Sequence, residues 1–548
     1  MKTIYNKVQA ILLLLAPCSL LLLYGCSDFL ETPSKSALQT DDMYTTPAKV
    51  DQALIGVYGC LKPFATYYFI MSENRSDNFF ETSEGSSNDY ADCAQFNTSR
   101  LVNDNIVNNC WCDHYTLIAA ANALIERQGD AQGMSQETRV QYEAEARFLR
   151  ALSYFDLVRF FGRVPLSLKE LTTDEAFTLP QSEPIEIYEK GIIPDLEYAI
   201  EHLTDVAVDY NGVKHSERAT KIAAQALLGK VYMQMAGWPL QQDTEVKAQK
   251  LLKEVIDAWD KTNKWAKDYN EWNQMWVHEN DNKYFIFEIQ YIAEKNQGNP
   301  AAPLAKGQSY TDDNYCGAYL TTGKHIYMER ELQAKLVEGY DATTKDMSGI
   351  IDKRVYNTIN VARWLDEETG TETGGDPNKD CFPTRFFEHK MKRDSLGYGN
   401  MDASIVDASY WPQNWPVLRI EDIMLLYAES VGVRDGIEYF NKVHTRAGRS
   451  ALPKTVSEDT FQEYVTLERR IELFAEGHRW FDQVRKNTFV KDIQRKMDYY
   501  PTTDSRIDAS IYVAFKNRVT QSGAYYPIPQ RQIRNSGGLY KQNPGYSN

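Results

Sequence analysis

Ionisable side chains crowd the segment from Glu468 to Arg485: Glu468, Arg469, Arg470, Glu472, Glu476, Arg479, Asp482 and Arg485. On a helix Glu472 and Glu476 share one face, and a glycoside hydrolase uses two such carboxylates as general acid and nucleophile. The arginines argue otherwise. A guanidinium beside a carboxylate lowers its pKa, the wrong direction for a general acid. Leu467, Ile471, Phe474, Trp480 and Phe481 turn the same segment toward a core. The block therefore reads as a structural ion-pair network, and so do Arg147, Arg150 and Asp156. No catalytic residue is assigned. His-Glu-x-x-His, Gly-x-Ser-x-Gly, phosphate-loop and calcium-hand patterns are all absent from the sequence, and its eight histidines are scattered. No metal ligand set and no cofactor are implied, and a bound calcium is left open.

Binding has more material. The chain holds 35 Tyr, 10 Trp and 22 Phe, and aromatic rings with polar tips stack on sugar rings while hydrogen-bonding hydroxyls. Trp272, Trp276, Tyr291, Tyr310, Tyr315, Tyr319, Trp411 and Trp415 fall in turn-rich stretches; about half of such rings are expected in the core. A polar segment, Glu73-Asn74-Arg75-Ser76-Asp77-Asn78, lies between Met71 and Phe79-Phe80. Arg75, Asp77 and Asn78 offer paired hydrogen bonds to vicinal hydroxyls. An Asx-turn closing a loop is the alternative reading.

Two cysteine groups carry separate chemistry. After Lys2 and Lys7, an apolar run from Ala10 to Tyr24 is too short to span a bilayer comfortably. It ends in Leu23-Tyr24-Gly25-Cys26, a lipobox pattern that makes residues 1–25 a signal peptide and Cys26 the lipidation site. No other stretch approaches a membrane span. Cys60, Cys93, Cys110, Cys112, Cys316 and Cys381 remain. In an exported protein an even number permits disulfides, and one or two are expected among the first four. Cys110-Trp111-Cys112 lacks zinc spacing. The net charge of −16 becomes about −18 once residues 1–25, with two lysines and no acids, are removed. That excludes a basic nucleic-acid footprint.

The elements that must position these groups are mainly helical. Apolar residues recur at three- and four-residue steps over Trp111 to Arg127, Tyr142 to Phe161 and Ile185 to Leu203, the last with a kink expected at Pro194. Glu217 to Ala236 is alanine-rich and suits close helix packing, and a further helix runs from Glu245 to Trp259. Glu143 and Arg147 form a favourable helical ion pair. Tyr284 to Ile289 reads as a buried strand. Residues 294–325 and 366–416 read as long loops. Helices return at Ile420 to Val431, Gly436 to Arg446 and Thr460 to Val484. Paired helices at roughly 34-residue intervals suggest tetratricopeptide-like repeats without their consensus residues. The architecture is a helical scaffold with long irregular insertions and minor β content.

Six blocks occur in order: RALSYFDLVRFFGRVPL (150–166), RIEDIMLLYAES (419–430), FNKVHTRAGR (440–449), ERRIELFAEGHRWFDQVR (468–485), YYPIPQRQI (525–533) and QNPGY (542–546). With CSDFLETPSKS after the lipobox, they resemble the SusD/RagB family of Bacteroidetes outer-membrane lipoproteins. The resemblance implies about four tetratricopeptide-type helix pairs supporting an irregular, loop-rich ligand-binding half. Its regions would be a lipidated tether over 26–40, an N-terminal helical region over 41–260 and a C-terminal domain over 270–548. It implies a SusC-like TonB-dependent transporter as partner, with this chain capturing oligosaccharides at the outer cell surface without cleaving them. Asp28 and Glu31 resemble outward-sorting signals. Peptide capture, a surface glycoside hydrolase and a protein-only helical adaptor are the alternatives. The ligand residues implied, by region, are Arg75, Asp77 and Asn78, Tyr90 to Phe96, and Tyr291 to Tyr319, with Trp272 added from its loop position.

Overall fold

A computed structural model describes residues 43–81, 89–276, 283–292, 294, 297–301, 326–341, 343, 348–358, 413–503 and 509–547. Cys26, the signal peptide, the tether, Tyr310, Tyr315, Tyr319, Cys316, Cys381 and Trp411 lie outside them. The protein is mostly helical. The first long helices are α1 (Pro47–Gly59), α2 (Asn105–Arg127) and α3 (Gln136–Phe161). Asp104 caps α2 by accepting from the backbone of Ile106 at 2.7 Å and Val107 at 3.2 Å, and Ser135 caps α3. These bonds satisfy donors that a helix start leaves without partners. Gly162 ends α3 at φ 69°, a left-handed conformation that favours glycine.

Helices α4 (Ile193–His202), α5 (Lys221–Ala236) and α6 (Glu245–Asp260) continue the scaffold. Each packs on its predecessor, from α2 against α3 through to α5 against α6. The alanine face of α5 is buried as its composition predicts, and a Cβ on Gly229 would lie 2.9 Å from Leu252 of α6. The helix is irregular beside Pro194, as expected. This proline follows a wide π turn at Tyr188–Ile192 within helical backbone that runs unbroken from Pro184 to His202. A departure from the sequence reading concerns Pro47–Glu73, which is long and apolar enough to pass as a membrane span. Much of it is core, and it is broken into helical pieces.

In the second half α7 (Ile420–Arg446) packs on α6 and is interrupted at Gly432 (φ 73°), which separates the two predicted helices. The predicted helix Thr460 to Val484 is instead two, α8 (Glu458–Glu472) and α9 (Arg479–Arg485). Ala475 and Gly477 between them have φ of 67° and 89°, and a Cβ on Gly477 would lie 2.6 Å from the Tyr68 Cβ. The break is forced by this close approach. Helices α10 (Phe489–Thr503) and α11 (Ala509–Arg518) follow.

Four short strands matter for the site: β1 (Phe79–Glu81), β2 (Phe285–Ile289), β3 (Ile326–Met328) and β4 (Trp415–Arg419). β1 pairs antiparallel with β3, and β2 with β4. One hydrophobic core runs through both halves, from Val50 and Phe148 to Trp480 and Ile528.

Candidate functional site

The segment Glu73 to Asn78 is a buried clamp. Each of its residues is at most 1% exposed. The Glu73 carboxylate accepts from the backbone N–H groups of Gly477 (2.8 Å), His478 (2.9 Å) and Arg479 (3.3 Å), which open α9, and from Asn78 Nδ2 at 2.7 Å. Burial pushes this carboxyl up to about 7 against those hydrogen bonds. Asp77 forms a two-pronged pair with Arg479, at 2.7 and 3.0 Å. Burial raises the Asp77 pKa, but Arg470 and Arg479 outweigh it and hold the carboxyl well below the usual range. Asn78 Oδ1 accepts from Arg470 Nε at 3.0 Å.

Arg75 is caged. Its guanidinium lies 3.9 Å from the ring centre of Phe96, 4.3 Å from Tyr526 and 4.8 Å from Trp480, and it donates to the carbonyls of Cys93 and Gly523. Cations over aromatic faces gain most when desolvated. The expectation that Arg75, Asp77 and Asn78 face a ligand is therefore corrected, because their donors and acceptors serve the interior. Phe96, 1% exposed, is the floor of the Arg75 cage. Trp272, fully buried, donates from Nε1 to Glu472 at 3.2 Å. Tyr291 is buried and its hydroxyl donates to the Lys62 carbonyl at 2.7 Å. None of these three rings is offered to solvent. Tyr90 lies in the helix Asp89–Ala94, and its side chain is outside the described residues.

The acidic residues of the Glu468–Arg485 block are locked. Glu472 receives Arg354 and Arg419 at 2.7 Å and Arg446 at 2.6 Å. Glu476 receives Arg419 through Nε at 2.6 Å, Glu468 receives Arg354 and His444 at 2.7 Å, and Asp482 receives Arg469 and Arg485 at 2.9 Å. Burial raises the Glu468 pKa, yet Arg354 and His444 hold it below the usual value. In the first half Arg150 grips Asp195 at 2.7 and 2.8 Å, Arg147 bridges Glu143 and Asp195, and Asp156 accepts from Tyr68 at 2.5 Å and pairs with Arg159. Charges buried this deeply must be paired. Here they tie helix to helix.

What the clamp positions is a rim. β1 follows Asn78 directly, and Glu81 lies opposite Ile326, so the chain leaves toward residue 82 beside the point where it returns from 325. Asn299 Nδ2 donates to the Gln413 carbonyl at 2.9 Å, bringing the departure toward 302 beside the return from 412. Consecutive residues of the π turn Tyr68–Glu73 hold both sheets: Tyr68 stacks on Trp415 of β4, with ring centres 6.2 Å apart, and Phe69 meets Phe79 of β1 at 5.4 Å. Trp415, expected in a loop, is thus a buried strand residue.

Two family models match this chain. One, described as the SusD family, covers residues 283–546, and the other, described as starch-binding associating with outer membrane, covers residues 28–233. The chain belongs to the SusD-like family. Two SusD-like proteins of Formosa agariphila are similar to it. One is 23% identical, covering 87% of this chain and 89% of its own, and the other 25% identical, covering 86% and 90%. The fold matches a SusD homolog from Bacteroides thetaiotaomicron with TM-score 0.75, 23% identity and coverage of 94% and 99% of the two chains. It also matches a laminarin-binding SusD-like protein with TM-score 0.68, 22% identity and coverage of 92% and 100%. The SusD family is associated with the outer membrane.

In this SusD-like chain Cys60, Cys93, Cys110 and Cys112 are free thiols, which corrects the expected disulfides among them. Each has local company instead. Cys60 donates to the Gly56 carbonyl, Cys110 lies 3.7 Å from His114 Nδ1, and Cys112 receives Gln532. Burial pushes the Cys93 and Cys110 pKa values well above the ordinary value. Sequence reasoning missed Arg354, Arg419 and Arg446, which complete the network, because each lies in a different element from the carboxylates it serves.

Proposed function

We propose that this protein captures oligosaccharides at the outer membrane and hands them, uncleaved, to a SusC-like TonB-dependent transporter. The observation that carries the reading is the rim, where stems of separate insertions leave a rigid, charge-tied scaffold together. Rigid elements presenting variable segments are the usual arrangement of binding proteins. The family description names starch, and a neighbouring fold is that of a laminarin-binding protein, which makes glycans the first ligand class to try. The carboxylates that a hydrolase reading selects, Glu472 and Glu476, are at most 2% exposed and held by arginines, so their locking supports capture without cleavage. Tyr90, Tyr310, Tyr315 and Tyr319 are the proposed ligand contacts. Cys26 is the proposed lipid anchor, facing outward.

A glycan array probed with the soluble form beginning after Cys26, followed by product analysis of every bound glycan, tests the proposal. Binding without product release is expected. Release of shorter sugars would overturn the capture reading, and binding to peptides alone would replace the ligand class. Cys26→Ala should leave affinity intact while abolishing uptake in cells.

A further inference from the structure

A groove opens along the outer side of α10. The inner side of this helix is fixed in the core. Phe489, Ile493 and Met497 are buried, Phe489 meets Trp480 with ring centres 5.2 Å apart, and Lys496 donates to the carbonyls of Ser76 and Phe79 at 2.8 Å. Three- and four-residue steps put Lys491, Gln494, Arg495 and Asp498 on the opposite face, with Asn487 just before the helix. Gln521 forms the facing wall. Gln494 Nε2 donates to the Val519 carbonyl at 3.2 Å and the Gly523 carbonyl accepts from Arg75 at 2.8 Å, so both walls are held. The groove measures about 540 Å³, a volume in the range of ligand pockets, and Val490 is its one apolar side chain among the described residues.

The charges in it are not balanced. Asp498 is taken by Lys516, at 2.5 and 2.6 Å. Asp492 turns away to Gln483 at 3.1 Å and Arg479 at 3.5 Å. Arg495 lies 3.5 Å from Glu331, just past β3, and 3.8 Å from Asp77, both too long for a full hydrogen bond. Lys491, one turn before Arg495, pairs with no described residue. Like charges at this spacing repel, and nothing in the groove relieves them. The side-chain amides of Asn487 and Gln521 have no hydrogen-bond partner among the described residues either. In a chain of net charge −16, this excess of cations and idle amides is local.

We propose that the groove is a subsite for an acidic sugar unit. Lys491 and Arg495 take its carboxylate or sulfate, and the amides of Asn487, Gln494 and Gln521 meet its hydroxyls. Ammonium and guanidinium groups form the stronger, charge-assisted hydrogen bonds with such anions. Amides offer donor and acceptor together, as a hydroxyl does. No aromatic ring is among the described lining residues, so selection here is by charge and not by the stacking that a neutral sugar uses. This subsite rests on the ligand-capture reading above.

Isothermal titration of the soluble chain with three oligosaccharide series tests it: oligogalacturonates, which carry carboxylates, carrageenan oligosaccharides, which carry sulfates, and neutral maltooligosaccharides. One acidic series should bind more tightly than the neutral one, and added salt should weaken it. Which series binds tells carboxylate from sulfate, and either supports the subsite. Lys491→Gln should weaken that series about tenfold, the loss of one charge-assisted hydrogen bond, at unaltered melting temperature. The same change at Lys250, 78% exposed on α6, should leave it as it is. Acidic series that bind no better than the neutral one, or an unaltered affinity in Lys491→Gln, overturn the subsite and leave capture standing. Acidic series that bind through Lys491 but are cut during titration support the subsite and overturn capture without cleavage. Failure of all three series to bind overturns the subsite, and the glycan array then decides capture. If Lys491→Gln fails to fold, Gln521→Ala on the facing wall should weaken the same series severalfold, and unchanged affinity there overturns the subsite.

Discussion

The carboxylate of Glu73 lies 2.8 Å from the backbone nitrogen of Gly477, 404 residues further along the chain. It serves as the N-terminal cap of α9 although it belongs to a distant segment, and it accepts from the backbone at the break between α8 and α9. Replacing Glu73 with alanine strands three backbone donors inside the protein. The expected loss is about 2–4 kcal/mol, at the upper end for a single buried site. Urea unfolding monitored by circular dichroism measures it. Glu73→Gln should cost less, because one oxygen still accepts.

Asp77 and Arg479 form a coupled buried pair. Removing either leaves the other uncompensated, so Asp77→Ala and Arg479→Ala should each destabilise by about 3–5 kcal/mol. The double variant should cost clearly less than the sum, giving a coupling energy that a double-mutant cycle reads directly. Additive losses would show that Asp77 and Arg479 are not energetically coupled.

Glu476 separates a structural from a catalytic role. Glu476→Gln weakens a two-pronged bond to Arg419 and should lower stability by a few kcal/mol, about 3. Ligand affinity of the fraction still folded should be unchanged. Calorimetry below the melting transition checks this.

Stability should vary with pH in two opposite limbs. Burial raises Glu73 and Glu145 from 4.5 to about 7. These carboxyls bind more protons folded than unfolded, so the stability they contribute is full below 4.5 and lost as pH rises toward 7. Glu429 behaves oppositely. Burial raises it, but Arg485 and Lys486 outweigh that and lower it to about 2. Its contribution is present above its unfolded pKa and lost as pH falls toward 2, together with those of Asp77, Asp422 and Asp482, which are also lowered. Unfolding free energy should thus rise from pH 8 to about 5 and collapse below about 4. Glu145→Gln should flatten the neutral limb.

Thiol chemistry tests the cysteine assignment. Cys93 and Cys110 are buried, with raised pKa values, and should react with a thiol reagent only after denaturation. Cys60 and Cys112 are partly accessible and should react slowly in the native state. Peptide mapping after labelling distinguishes the four, and a recovered disulfide between any two of them would contradict the structure.

The sequence by itself determined the scaffold. Helical periodicity is a local property, so α2, α3, α5 and α6 were legible, as was the alanine face of α5, with C-terminal ends placed closely and the starts of α2 and α3 each read six residues late. Mixed acids and arginines on one helix announced ion pairing, and six ordered blocks announced the family. Tertiary structure alone decided which face each polar group takes. The Glu73–Asn78 segment has a composition suited to sugars, yet its partners in α8 and α9 lie hundreds of residues away, and no local pattern encodes them. The same holds for Trp272 and Phe96, since an aromatic ring suits a core and a binding surface equally. Periodicity records that a residue is buried or repeated. What it is buried against depends on contacts between distant segments, and those fixed the α8–α9 break, the rim and the unpaired thiols.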